Sequence, residues 1–216
     1  LINSRGFPSK GADAVLRSVR RLRDRSKPLV LSVSGFTPEE LVACHATLEP
    51  LAEATEVNIS SPNTAALHAL QDPDAFAELV ARINGHRTKP LFVKLPFYSD
   101  PQGQERVLGL ARIARQRGVD GITASNASLV GAPMLAAGRG GLSGRAVFQD
   151  TLRIVTEVRS EVGDRMAING CGGIFTAEDA FRVLEAGADT IQVLTALVYE
   201  GPGVAATINR GLLRLL

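Results

Sequence analysis

The sequence predicts an α/β protein built on parallel strands and, within that class, a (β/α)8 TIM barrel. Three observations carry this. Short β-branched runs alternate with longer stretches of helical spacing, in the order βαβα throughout. The short runs are almost continuously apolar, as strands of a parallel sheet must be when both faces are covered. Polar and glycine-rich residues gather just beyond the carboxyl ends of nearly all of them: Ser34-Gly35, Ser60-Ser61-Pro62-Asn63, Lys94, Ser125-Asn126, Gly170-Cys171-Gly172-Gly173 and Thr195. An open doubly wound sheet shares the alternation but concentrates its chemistry at one switch point, whereas a barrel collects residues from many strand tips around one mouth.

Taken in order, the residues from Leu1 read as the end of a strand leading into a turn, followed by a helix over Ala12–Arg25 and a strand over Leu29–Ser34. Thr37-Pro38-Glu39-Glu40 opens the next helix, with an N-cap threonine, proline at the first helical position and acids in the first turn. Strand Glu56–Ser60, helix Pro73–Asn84, strand Leu91–Leu95, helix Gln104–Arg117, strand Gly121–Ser125 and helix Phe148–Val162 follow. Strand Ala167–Gly170 leads to a second acidic helix start at Thr176-Ala177-Glu178-Asp179, then come strand Thr190–Leu194 and helix Val204–Leu215. Six strands are two short of a closed barrel, and an open arc would expose unpaired backbone at both edges. The expectation is that the first two strands are missing from this chain and precede Leu1. Residues 1–216 would then form a single barrel domain, incomplete at its amino terminus.

Composition excludes several function classes. A chain of 216 residues that is 45% hydrophobic and 21% charged is an ordinary globular sequence, long enough to fold without disulfides. Its formal charge of +2 is too small to make nucleic acid the expected partner. The nearest basic cluster, Arg17, Arg20, Arg21, Arg23, Arg25 and Lys27, carries no interleaved aromatic for stacking bases and reads as a solvated helix face. No apolar run is long enough to span a membrane. Cys44 and Cys171 are too few for a disulfide framework and fit a reducing compartment. His45, His68 and His86 are scattered, read as surface residues, and give no metal constellation.

The chemistry-bearing loops are four. Asn58-Ile59-Ser60-Ser61-Pro62-Asn63-Thr64 supplies amide donors and acceptors beside hydroxyls, although an Asn/Ser/Pro turn also uses such residues to cap backbone. Lys94 closes a buried apolar strand, where a lysine is costly unless an anion or acceptor meets it. Gly170-Cys171-Gly172-Gly173-Ile174-Phe175-Thr176 and Leu194-Thr195 follow the last two strands, where barrels commonly seat a phosphate on backbone N–H groups and a helix amino terminus. Gly140-Gly141-Leu142-Ser143-Gly144 lies in the long connection before the penultimate strand and reads equally well as a flexible loop.

Together these loops, with Asn3-Ser4-Arg5-Gly6-Phe7-Pro8 and Gln192-Val193-Leu194-Thr195-Ala196-Leu197 followed by Glu200-Gly201-Pro202, resemble the dihydroorotate dehydrogenases, FMN enzymes on a (β/α)8 barrel. The resemblance implies FMN-dependent oxidation of (S)-dihydroorotate to orotate in pyrimidine biosynthesis, the hydride passing to the flavin N5. It puts Ser61 at the position of the catalytic base and Thr64 beside it in a proton relay. It matches Asn3, Asn58, Asn63 and Asn126 to residues that hold the pyrimidine, and Phe7 to one that lines its pocket. Asn58, Lys94, Ser125 and Gly144 match contacts to the flavin ring and ribityl chain, and Gly172, Gly173, Leu194 and Thr195 match the phosphate end. A quinone or fumarate would be the electron acceptor, a homodimer is compatible with the family, and neither nucleic acid nor metal is implied. The location implied is cytoplasmic, peripheral to the inner membrane if the acceptor is a quinone. A serine base is typical of the quinone-linked class, while the compact Ser32-Val33-Ser34-Gly35 loop looks like the soluble class. Ala65, Ala66 and Ala127 depart from the family pattern on the substrate side, leaving open a related flavin oxidoreductase acting on another dihydropyrimidine-like substrate. A barrel that binds a phosphorylated ligand without redox chemistry is the other alternative.

Overall fold

The computed structural model describes residues 1–22 and 26–215. In chain order the elements are β1 (Ile2–Asn3), α1 (Ala12–Arg20), β2 (Val30–Val33), α2 (Pro38–Leu48), β3 (Ala54–Asn58), α3 (Pro73–Asn84), β4 (Leu91–Lys94), α4 (Pro101–Gln116) and β5 (Gly121–Ala124). They continue with β6 (Ser128–Gly131), β7 (Arg139–Leu142), α5 (Phe148–Val162), β8 (Ala167–Cys171), α6 (Ala177–Glu185), β9 (Thr190–Gln192), α7 (Thr195–Glu200) and α8 (Val204–Leu215). Six strands pair in parallel in the order β2-β3-β4-β5-β8-β9, with a helix covering each crossover between successive members.

This sheet is curled. The Gln192 amide on β9 donates to the Glu56 carboxylate on β3 at 2.9 Å. Three strands separate β9 from β3 in the sheet, and a flat arrangement would hold them about 19 Å apart at the usual ~4.8 Å spacing. The inner face must therefore close on itself. There it carries a polar layer: Ser32 and Thr123 donate to Glu56 at 2.8 and 2.5 Å, and Asn169 donates to Thr123 at 3.2 Å. Glu56 is only 4% exposed. A buried carboxylate persists only when donors replace its lost hydration, and here three neutral side chains do so.

The outer face packs the helices. Leu79, Val80 and Ile83 of α3 and Ile154, Val155 and Val158 of α5 join Val57, Leu91, Val93 and Ile122 of the sheet in one apolar core. Helix starts follow the sequence signals: Thr37 accepts from Glu40 N at 3.2 Å, and Thr176 and Asp179 cap each other's backbone in a complete capping box.

Several expectations need correction. The strand at Ile2–Asn3 exists but is no part of the barrel; it pairs antiparallel with β7, which pairs with β6, as a three-stranded sheet at the carboxyl end of the strands. Gly140 to Leu142 are thus strand residues, not a flexible loop, because Asn3 backbone lies where a Gly140 side chain would stand. Helix α1 stops at Arg20; Arg17, Arg20, Arg21 and Lys27 are exposed as expected, and Arg23 and Arg25 lie outside the described residues. Helix α4 starts earlier than expected, capped by Asp100 ahead of Pro101. His45 is not a surface residue. It is fully buried between α2 and β3, its Nε2 2.9 Å from Thr55 Oγ1 and its Nδ1 3.1 Å from His86 Nε2.

Candidate active site

Every parallel strand delivers its carboxyl end to one side, and the small antiparallel sheet caps part of that rim. A cleft opens there. Asn3, Lys94, Asn126, Gly144, Gly172, Gly173, Leu194 and Thr195 line it, together with Cys171 and Gln192. Phe7 lies elsewhere, packed on the core and lining a second cavity beside β2 that it shares with Ser34 and Asn58. Ser61, Thr64 and Ser125 are buried next to the rim.

Alternation along the strands explains the placement. Residues two apart share a face, so Glu56 and Asn58, Thr123 and Ser125, and Asn169 and Cys171 form two inward layers, the second nearer the mouth. Lys94 belongs to the upper layer: it pairs in register with Asn58, and its Nζ lies 3.5 Å from Cys171 Sγ.

The loop after β3 is joined to the loop after β5. Asn126 Nδ2 donates to Ser60 Oγ at 2.6 Å, and Ser60 Oγ donates to Asn58 Oδ1 at 2.7 Å. Asn63 Nδ2 donates to the carbonyls of Asn3 and Arg5 at 3.2 and 3.0 Å, tying the β1 segment to the same loop. Thr64 Oγ1 lies 3.2 Å from Ser61 Oγ, both side chains buried. In the second cavity, burial pushes the Cys44 thiol up from its ordinary range.

The residues present fit a phosphorylated aromatic cofactor on three counts. Ser125 Oγ is buried without a hydrogen-bond partner among the described residues, which is costly unless a ligand supplies one. No hydrogen bond among the described residues uses the N–H of Gly172, Gly173 or Ile174, so three donors lie free at the loop after β8. That loop also needs its glycines: Gly173 has φ +72°, and a Cβ there would meet Phe148 backbone at 2.8 Å. The helix amino terminus expected to join this cradle is already closed, because Asp179 accepts from Phe175 N and Thr176 N at 3.0 and 3.1 Å.

Sequence reasoning missed Glu56 and the bridging role of Ser60. The lone carboxylate of β3, between Thr55 and Val57, was the available signal for the first. No cluster of three or more His, Cys, Asp or Glu side chains suited to a metal ion occurs among the described residues.

A curled parallel sheet with crossover helices defines the class: a protein of the (β/α)8-barrel type, with a glycine-lined cleft at the carboxyl ends of its strands. The ligand-free DHODH structure from Eimeria tenella matches all of this chain and 69% of its own, with TM-score 0.86 and 25% identity. The profile described as dihydroorotate dehydrogenase matches residues 1–216. Proteins named dihydroorotate dehydrogenase (quinone) from Chloroflexus aurantiacus and Leifsonia xyli subsp. xyli are 38% and 37% identical, over 99% and 98% of this chain. The chain belongs to the dihydroorotate dehydrogenase family. It spans 64% and 66% of the length of those two curated relatives.

Proposed function

We propose that this chain carries the FMN site and catalytic loop of an enzyme that oxidises (S)-dihydroorotate to orotate in pyrimidine biosynthesis. The observation that carries the reading is the free N–H cradle at Gly172 to Ile174, in one cleft with Lys94 and beside the unpartnered Ser125 hydroxyl. Gly172, Gly173, Leu194 and Thr195 would hold the phosphate, and Lys94, Ser125, Asn58 and Gly144 the ring and ribityl chain. When bound, FMN supplies an acceptor for the hydride that leaves the substrate.

The asparagine amides divide into donors and acceptors by what they already bind. Both N–H groups of Asn63 are used, leaving its carbonyl to accept from a ring N–H. Asn58 and Asn3 each use their carbonyl within the chain, leaving their N–H groups for the carboxylate and ring carbonyls of a pyrimidine. Asn126 keeps one N–H free. Ser61 Oγ is the base, and because a serine hydroxyl must shed its own proton to act, Thr64 Oγ1, which donates to Ser61 Oγ in this structure, is the neighbour through which that proton leaves once the two hydroxyls turn. Lys94 places a cation in the cleft where negative charge develops on reduction. Phe7 helps enclose the substrate only if the second cavity joins the cleft in the ligand-bound state.

The quinone named in the relatives supports a quinone acceptor over fumarate. One observation favours a second reading: Ala127 presents a methyl group to the cleft beside Asn126, so another dihydropyrimidine lacking the orotate carboxylate would also fit. Purified full-length protein assayed with dihydroorotate and dihydrouracil, each with a ubiquinone analogue and with fumarate, separates these. The reading expects orotate formation with the quinone; turnover of dihydrouracil alone selects the second reading, and a protein that binds no FMN and turns over neither substrate removes both.

A further inference from the structure

A second, more open hollow adjoins the cleft, shares Ser143, Gly144, Phe175 and Thr195 with it, and is lined further out by Arg145, Tyr199 and Glu200. Lys94 is the cationic side chain lining the cleft and Arg145 the one lining the adjoining hollow. Arg145 follows Gly144, whose φ is +85° and where a Cβ would stand 3.1 Å from Thr195 Cγ2. Its guanidinium lies over the Phe175 ring at 4.6 Å and 3.7 Å from Asp179 Oδ2, and its side chain is 65% exposed.

Charge makes this position consequential. The free N–H groups of Gly172, Gly173 and Ile174 are neutral donors, and the start of α6 beside them already carries the Asp179 carboxylate on the N–H groups of Phe175 and Thr176. A dianion seated on that loop would meet like charge; Arg182, held over the Phe148 ring that packs against Gly173, and Arg145 are cations near it, and of these two Arg145 lines the hollow beyond Gly144. A guanidinium parked flat on an aromatic ring, loosely paired and solvent-accessible, can turn to a phosphate without breaking a buried bond, and its planar fork suits phosphate oxygens.

We propose that Arg145 is a specificity-determining residue that grips the dianionic tail of the cofactor and so selects phosphorylated flavin over riboflavin; this rests on the FMN reading above. The test is flavin-fluorescence titration of the full-length protein, stripped of flavin, with FMN and with riboflavin, comparing wild type, Arg145→Gln and Arg145→Lys at low and high salt. The expected result is an FMN affinity lowered about tenfold in Arg145→Gln at low salt, riboflavin affinity unchanged, a shallower salt dependence, and partial recovery in Arg145→Lys. Unchanged melting temperature in both variants confirms that the fold is intact. Wild type preferring FMN strongly while Arg145→Gln keeps the same preference overturns the role of Arg145 and leaves the FMN reading standing. Wild type that binds neither flavin overturns the FMN reading itself.

Discussion

Ser61 and Thr64 were legible in the sequence as neighbours on one loop, and the 3.2 Å separation of their hydroxyls gives that pairing a geometry. If Ser61 is the base, Ser61→Ala should retain FMN while flavin reduction by dihydroorotate slows by roughly 10²-fold or more; stopped-flow reduction at an unchanged rate would remove it from the mechanism. His45 was misread because nothing in a single sequence says which helix face meets the sheet when its stripe mixes Leu41, His45 and Leu48. Burial above all, and then repulsion from His86, lowers its pKa from 6.5 to about 4. The unfolded chain therefore takes up a proton that the folded chain refuses. Stability should be complete above pH 6.5 and fall as the pH drops towards 4, by at most about 3 kcal/mol. Denaturant midpoints measured across that range should show the loss, and His45→Gln should flatten it; parallel curves for the two proteins would contradict the assignment.

Helices were read well where chemistry marks their ends and badly where it does not. Helices α3, α5 and α8 fall at the expected residues, and the Thr37 and Thr176 starts are true N-caps. The start of α4 was missed because Asp100-Pro101 resembles a turn as much as a cap. Thr176→Ala should lower stability by about 1 kcal/mol, since it breaks one half of the capping box and frees Asp179. Thermal melting checks this. In the loop before that helix, Gly173→Ala combines a positive φ with a Cβ that cannot enter without moving Phe148 backbone. That variant should lose FMN binding together with several degrees of melting temperature; wild-type affinity in both respects would mean the cradle tolerates a side chain. The sequence marked a strand end at Leu1 but not its pairing in the small β1-β7-β6 sheet, because two-residue and glycine-rich strands carry no period to detect.

At the scale of the molecule, the parallel barrel arc was legible because its strands announce themselves as apolar runs and its polar residues follow at their carboxyl ends. The polar layer beneath the site was not, since a carboxylate such as Glu56 in the barrel interior is placed by the curl of the whole sheet, which joins β9 to β3. Glu56→Ala should therefore destabilise the fold by about 2 kcal/mol or more, by stranding the Ser32, Thr123 and Gln192 donors; urea unfolding with an unchanged midpoint would show that water replaces the carboxylate. The central claim is that strand tips from β3 to β9 converge on one phosphorylated flavin. Its most direct test is a crystal structure of the full-length protein grown with FMN and orotate. The account predicts the phosphate on the N–H groups of Gly172 and Gly173, the ring beside Lys94 and Ser125, and orotate facing Ser61. Density for the phosphate elsewhere, or for no flavin at that mouth, would contradict it.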